Sequence, residues 1–346
     1  MVKYALKRIV LAFFTAFIIL SLTFLCIKLL PFPKPAPTGD EAVFAYYQRQ
    51  IDLGYVFVTT KPIEGVEALW DYVAPGSLIR QYFYQEPIFA QYGRWLGNIF
   101  TKWDWGVSNE IEPNVGVIYI ILGRLPTTIK INIWSVIISV PTGIALGVWA
   151  ALKKNTMTDH VISTLIMIFI SIPSFITITL LLLIFSYNTG WLPTQWPSAT
   201  APLATRIAGY VIPVASLSFG SICGYCRFTR AELCEVMASD YLLLARTKGL
   251  TRSQTITRHA LRNAMVPIVP SILSEFIGIL GGSMILEKLY GIQGIGDLFI
   301  QAINKNDFNV LFVDMALFTT ISLLAGVILD ISYGFIDPRI RMGAKK

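Results

Sequence analysis

The chain has 346 residues, of which 54% are hydrophobic and only 14% charged, whereas a soluble domain carries about a quarter charged residues. That balance excludes an ordinary soluble domain and points to an integral membrane protein. The net charge of +7 would suggest nucleic acid in a soluble chain, but here Lys and Arg cluster between apolar spans, so topology accounts for them and no nucleic-acid partner is expected.

In chain order, Lys3, Lys7 and Arg8 precede an apolar run over 9–30. It is too long for a signal-peptide core and no small-x-small site follows it, so it is expected to stay as a first transmembrane helix. Residues 31–126 form one large extramembrane segment. It opens on the stiff PFPKPAP, then mixes charges of both signs with many aromatics (WDYVAPGSLIRQYFYQEPIFAQYGRWLGNIFTKWDWG), which predicts a small folded cap or amphipathic elements at the interface. Further apolar stretches of about 20 residues, the length that crosses a bilayer, lie near 129–151, 161–186, 208–226, 264–286 and 311–334. The expected class is therefore all-α and integral to the membrane, with about six transmembrane helices. Residues 1–30 hold the N-terminus and first helix, 31–126 the outer segment, and 127–346 a core of five helices with a loop near 227–263.

Orientation follows from the short flanking segments. Lys3, Lys7, Arg8, Lys153, Lys154, Arg227, Arg230, Arg246, Lys248, Arg252, Arg258, Arg262, Arg339, Arg341, Lys345 and Lys346 fall on one side; the short loops opposite receive only Arg206, Lys288 and Lys305. Both termini are expected in the cytoplasm, and the 31–126 segment outside.

Cys26, Cys223, Cys226 and Cys234 lie in or beside apolar spans, where a thiol behaves as a small hydrophobe. Cys223 and Cys226 make a CxxC, but no second pair follows and neither His160 nor His259 stands at zinc-finger spacing, so no metal is expected. No GxxxxGK[ST] occurs, so the chain carries no nucleotide site of that kind and no catalytic residue is assigned.

The cytoplasmic loop between spans four and five reads DYLLLARTKGLTRSQTITRHALRNAMVP over 240–267. Strong helix formers precede Gly249, which supplies a left-handed stop. Thr251 with Gln254 then forms a capping box that opens a second helix running into the fifth span. On the first helix Tyr241, Leu244, Ala245 and Lys248 share a face by spacing, and Leu242 adds apolar surface. Such a helix either lies on the membrane surface or docks into a groove on a cytoplasmic partner.

This run resembles the cytoplasmic loop of permease subunits in binding-protein-dependent ABC importers of the dipeptide, oligopeptide and nickel group. The similarity extends from residue 124 onward through RLPTTIKINIWSVIISVPTGIALGVWAALKKNTMTDH, SIPSF, WLP at 191–193, GGSMILEKLYGIQGIGDL and LDISYGFIDPRIR, in the family's order and spacing. Within the group it is most similar to the first of the two permease subunits of oligopeptide importers. The resemblance implies the type I ABC importer permease fold in a bacterial inner membrane. It also implies a second homologous permease subunit, two ATPase subunits that bind ATP and Mg, and an extracytoplasmic peptide-binding protein that delivers peptide. The chain itself would hold no cofactor. In that family the loop helix couples to the ATPases, and Ala245 and Gly249 match its Ala and Gly. Leu243 and Leu244 stand where Glu and Ala of the general importer pattern would be, so no acidic anchor carries over. Tyr241, Leu242, Leu244, Ala245, Lys248, Gly249 and Arg252 are the candidate coupling residues.

Glu275 lies in the fifth span, where a carboxylate in lipid is a functional candidate for the translocation pathway or, equally, a polar contact between helices. Gly278 and Gly282 form GxxxG, a spacing that favours close helix packing. Pro141, Pro173, Pro267 and Pro270 interrupt or open spans. Asp330, Tyr333, Asp337, Pro338 and Arg339 match the family's C-terminal pattern, and a helix stop before Pro338 explains them as well. Two other functions compete: a membrane-anchored peptide-sensing receptor or scaffold, and, from GIGD ending at Asp297, an intramembrane aspartyl protease. The latter needs two carboxylates sharing a proton, and no Tyr-Asp stands within an earlier span.

Overall fold

The computed structural model describes residues 2–32 and 39–336. The chain divides into two compact units, one of Met1–Phe13, Ile121–Ile300 and Leu317–Lys346, the other of Phe14–Ile120 and Gln301–Ala316. The helices, in order, are α1 (Val2–Lys28), α2 (Asp40–Asp52), α3 (Ile88–Lys102), α4 (Val117–Leu152), α5 (Met157–Ile170), α6 (Ser174–Leu182), α7 (Leu203–Met237), α8 (Asp240–Thr247), α9 (Arg252–Thr255), α10 (Leu261–Gly278), α11 (Met284–Tyr290), α12 (Ile295–Asn304) and α13 (Phe308–Ile336). Strands β1 (Val56–Thr59), β2 (Trp70–Val73) and β3 (Arg80–Gln85) lie between α2 and α3.

Among the described residues, four helices are long and apolar enough to cross a membrane: Ala5–Lys28 within α1, α4, α7, and Phe308–Ser332 within α13. The predicted third span is not one helix but a bent pair, Met157–Ile170 and Ser174–Asn188, meeting at 96°. Pro173 causes the break: it lacks an N–H and disfavours helical geometry at Ile172 before it. The predicted fifth span, 264–286, is not one helix. α10 ends at Gly278, a 3₁₀ turn follows over Ile279–Gly281, and Gly282 at φ 64° redirects the chain into α11. Gly278 and Gly282 therefore do not share a helix face. A Cβ added at Gly278 meets nothing within 4 Å, whereas one at Gly282 would stand 3.1 Å from Thr128 Cγ2 and 3.3 Å from the Gly296 backbone nitrogen, so among the described residues the two glycines make no shared helix–helix contact.

The close packing lies elsewhere in the first unit, on α4. Ser135, Ser139, Gly143, Gly147 and Ala151 recur every fourth residue, and Ser135, Ser139 and Ala151 are buried. Ser218 on α7 donates its hydroxyl to the Ser135 carbonyl at 3.2 Å. A Cβ at Gly143 would fall 2.6 Å from Tyr225 Cβ, and one at Gly147 2.7 Å from the Cys226 carbonyl. In the same bundle, the buried Asp159 carboxylate receives Arg230 Nη2 at 2.8 Å and the Asn155 N–H at 2.9 Å, tying α5 to α7. Cys223 and Cys226 are buried against Ile166 and the CxxC is part of that apolar cluster. Arg8 and Asp330 form an ion pair at 3.0 Å; the side chain of Tyr333, and Asp337, Pro338 and Arg339, lie outside the described residues, as does most of PFPKPAP.

The second unit explains the aromatic run of the outer segment. The sheet is antiparallel with β3 in the centre, order β1-β3-β2, and pairs Val58 and Trp70 with opposite edges of Phe83. This small sheet adds to the expected helical class. Tyr47 of α2 stacks on Trp70 with ring centroids 5.4 Å apart, and both meet Phe83, which is buried. Gly76 at φ 81° permits the turn that joins β2 to β3. Asp307 fastens the segment that precedes α4: its fully buried Oδ2 accepts the Ser108 hydroxyl at 2.6 Å and the N–H groups of Asn109, Glu110 and Ile111 at 3.0 to 3.1 Å. The unit thus comprises α1 from Phe14 onward and residues 301–316 as well as most of 31–126, a wider domain than the sequence division placed there.

Candidate functional site

The loop after α7 has the helix, glycine turn, helix order that its residues dictate. Ser239 stands at the start of α8 in extended geometry, and Asp240 in the first turn and Arg246 in the last both complement the helix dipole. Gly249 at φ 90° ends the turn of helix, a conformation costly for any residue with a Cβ. The capping box is complete: Gln254 N–H donates to Thr251 Oγ1 at 3.3 Å, and Thr251 N–H to Gln254 Oε1 at 3.1 Å. From there α9, a π turn over Ile256–Ala260 and α10 run on without a break in the helical path.

The faces of α8 are distributed differently from the spacing argument. Leu242 is 4% exposed and fills a socket made by Ala151, Leu233, Ala260 and Ala264. It is the anchor of the loop, unavailable to a partner. Leu243 at 64% and Leu244 at 56% project outward, with Tyr241 at 41% beside them. The Tyr241 hydroxyl accepts a hydrogen bond from Asn263 Nδ2 at 2.7 Å, which ties α8 to α10. Asn263 carried no signal in the sequence, since nothing there distinguishes it from the other polar residues of the loop. Ala245 is half-buried, and Lys248 and Gly249 are exposed. Arg252 faces a different surface: with Lys153, Ser253 and Thr257 it rims a groove of about 520 Å³ floored by Val148, Leu152, Ile256 and Leu261.

This distribution makes a prediction about stability. Leu242→Ala should cost about 2–4 kcal/mol through the cavity it leaves among small side chains, whereas Leu243→Ser and Leu244→Ser should each stay within about 0.5 kcal/mol. Thermal unfolding in detergent distinguishes them; equal losses at 242 and 244 would show that the socket is not what holds α8.

Glu275 is half-buried on α10 and interacts with the hydroxyl of Tyr225 on α7, a polar contact between helices. The GIQGIGD segment is packed inward. Glu287 of α11, 2% exposed, accepts the Thr128 hydroxyl at 2.9 Å through Oε1 and the Asp297 N–H at 3.0 Å through Oε2. Thr128 in turn accepts the Ile295 N–H at 3.0 Å. Asp297 forms ion pairs with Arg124 at 3.7 Å and Lys288 at 3.8 Å. Its carboxylate thus faces two cations, an arrangement unlike the proton-sharing pair of carboxylates that a protease requires. Arg124, Thr128 and Glu287 were not singled out by sequence, because only the fold brings residues this far apart in the chain together.

Long apolar helices, a bent pair and an exposed loop helix define a multi-pass membrane protein, and its fold is that of a transporter's membrane subunit. An inward-facing structure of the MetNI methionine ABC transporter superposes with a TM-score of 0.51 over 64% of this chain and 97% of that one, at 16% identity. The chain belongs to the family of binding-protein-dependent transport system inner membrane components, whose model matches residues 143–342. It is 31% identical to the dipeptide transport system permease protein DppB of Lactococcus lactis subsp. cremoris over 99% of this chain and 100% of that protein. It is 30% identical to the oligopeptide transport system permease protein OppB of Haemophilus influenzae, again over 99% and 100%. These full-length similarities favour transport over the receptor and protease readings.

Proposed function

We propose that this chain is a permease subunit of an ATP-driven importer in a bacterial inner membrane, forming half of the path for peptides delivered by an extracytoplasmic binding protein. A second, homologous permease would complete the path, and two ATPase subunits would bind ATP and Mg beneath it. Both termini and the 227–263 loop would face the cytoplasm. The observation that carries this reading is the match along nearly the whole chain to permeases named for dipeptide and oligopeptide transport.

The loop supplies the mechanical part. α8 presents Leu243 and Leu244 to a partner while Leu242 and the Tyr241–Asn263 hydrogen bond hold the helix to the bundle. ATP-driven closure of the ATPases would push on α8, and the continuous path through α9 and α10 would carry the motion to Glu275, biasing a bistable assembly between inward-open and outward-open states. With no acidic residue at Leu243, docking rests on apolar burial, so charge there should be more damaging than loss of a single ion pair.

Reconstitution of the chain with its copurifying partners in vesicles tests both parts. ATP-dependent accumulation of labelled peptide is expected. Leu243→Asp with Leu244→Asp should lower it about tenfold or more, the equivalent of about 1.4 kcal/mol or more of coupling, with the permease still in the membrane. Gly249→Pro should act likewise, because proline cannot adopt φ 90°. Accumulation unchanged by all of these would overturn the coupling assignment; no accumulation by the intact complex would overturn import.

A further inference from the structure

Two buried indole donors without acceptors lie beside a half-buried lysine in the second unit. Lys28, the last residue of α1, holds Nζ 3.5 Å from the centroid of the Tyr55 ring. Two small cavities, of about 20 and about 10 Å³, share Ile27, Lys28, Tyr55, Phe308 and Asn309 in their walls; Trp95 and Trp105 line the second. The indole Nε1 atoms of Trp95 and Trp105 are both buried and, among the described residues, have no hydrogen-bond partner. Among the described residues, no carboxylate stands within ion-pair distance of Lys28.

Several polar neighbours are held in place by bonds of their own. Asn309 Nδ2 donates to the Val107 carbonyl at 2.9 Å, and Gln50 Nε2 to Asn109 Oδ1 at 3.4 Å. Asp104 acts on Tyr55, but its Oδ1 takes the Gly106 N–H at 2.9 Å. Burial, and secondly Asp104, push the Tyr55 hydroxyl up to about 12, so it remains a donor at neutral pH. Asp314 and Gln91 are buried in the same unit but line neither cavity.

A buried N–H is satisfied by water as well as by an ion. An ammonium held against a ring differs, because the ring face offsets only part of the charge of the half-buried Lys28 and the remainder attracts a counter-ion. We propose that the paired cavities are a binding site for a small anion, a halide such as chloride, held by the Lys28 ammonium and the indole N–H groups of Trp95 and Trp105. Size selects the class: space for about one water-sized body per cavity admits a monatomic anion and excludes a lipid phosphate or a peptide carboxylate.

The test uses the full chain in a maltoside detergent, which carries no phosphate. Thermal unfolding is followed at constant ionic strength as gluconate is replaced by chloride or bromide. The expected result is a saturable rise in Tm with either halide, with Lys28→Met raising the half-saturating concentration at least about tenfold, a loss of about 1.4 kcal/mol of binding. Bromide quenching of tryptophan fluorescence in the unmutated protein gives a second measure that does not depend on the variant folding: a saturable component is expected, and Trp95→Phe should reduce it. Equal Tm in all three salts with quenching linear in bromide assigns the cavities to water and overturns the proposal, as does a halide response that Lys28→Met leaves unchanged.

Discussion

Glu287→Ala is expected to lower stability by about 4 kcal/mol, because it orphans at least the Thr128 hydroxyl and the Asp297 N–H, each worth about 1–3 kcal/mol when left buried and unpaired. Against a total of about 5–15 kcal/mol for a folded domain, that loss should show as a large fall in thermal midpoint and in membrane-inserted yield. The knot has no slack to absorb the change. A Cβ at Gly294 would land far inside van der Waals contact with both Glu287 Oε2 and Thr128 Oγ1, and one at Gly296 would stand 2.7 Å from the Met284 backbone nitrogen. Gly294→Ala should therefore destabilise as strongly as loss of the carboxylate. Glu287→Gln should be milder, since its carbonyl can keep the Asp297 N–H while Thr128 turns to accept from the amide.

The same pair of variants has a pH signature. Burial raises the Glu287 carboxyl above its ordinary value, against the pull of its N–H and hydroxyl donors. A raised folded-state value means that the fold binds the proton more tightly than the unfolded chain does. Its contribution is then fully present below the unfolded value of about 4.3 and is lost as pH rises through the higher folded value. The stability advantage of the natural protein over Glu287→Gln should accordingly shrink as pH rises above the unfolded value. Measured unfolding midpoints that diverge with rising pH would contradict this.

The membrane class and the loop's helix, turn, helix order were legible because each depends on neighbours in sequence: apolar length, Gly249 and the Thr251–Gln254 box; the 96° break at Pro173 was not, since Pro141, Pro267 and Pro270 read alike yet lie inside helices. What was not legible depends on which face turns inward. Spacing along α8 groups Leu244 with Tyr241 and Ala245, yet Leu242 is the residue that meets Ala151, Leu233, Ala260 and Ala264, and only the return of α4, α7 and α10 to one place decides that. The Glu287 knot is hidden for the same reason, since Thr128 and Glu287 stand 159 residues apart. The break at Gly282 was missed because an apolar stretch interrupted by glycines reads equally as one helix or as a helix, a turn and a second short helix.

Gly147→Leu and Gly278→Leu decide which of two identical sequence spacings is a packing motif. Both pairs, 143 with 147 and 278 with 282, read GxxxG in an apolar run, and in lipid such a spacing matters only where two backbones approach. At Gly147 the added side chain would meet Thr229 Cβ at 2.6 Å, the Cys226 carbonyl at 2.7 Å and the Arg230 backbone nitrogen at 3.2 Å. Backbone atoms of α7 cannot step aside without moving the helix, so a cost of about 3 kcal/mol or more is expected. Moving α7 would also strain the Ser218–Ser135 hydrogen bond along the same contact and the Arg230–Asp159 pair between α7 and α5. At Gly278 the same substitution meets open space, so the fold of the chain should change by no more than about 0.5 kcal/mol. Unfolding of the two variants in detergent supplies the comparison. A larger loss at Gly278 than at Gly147 would mean that the bundle is held together at the end of α10 and not along the small-residue stripe of α4. A stable Gly278→Leu protein that no longer imports peptide would place Gly278 against the second permease proposed above, where close approach is between chains.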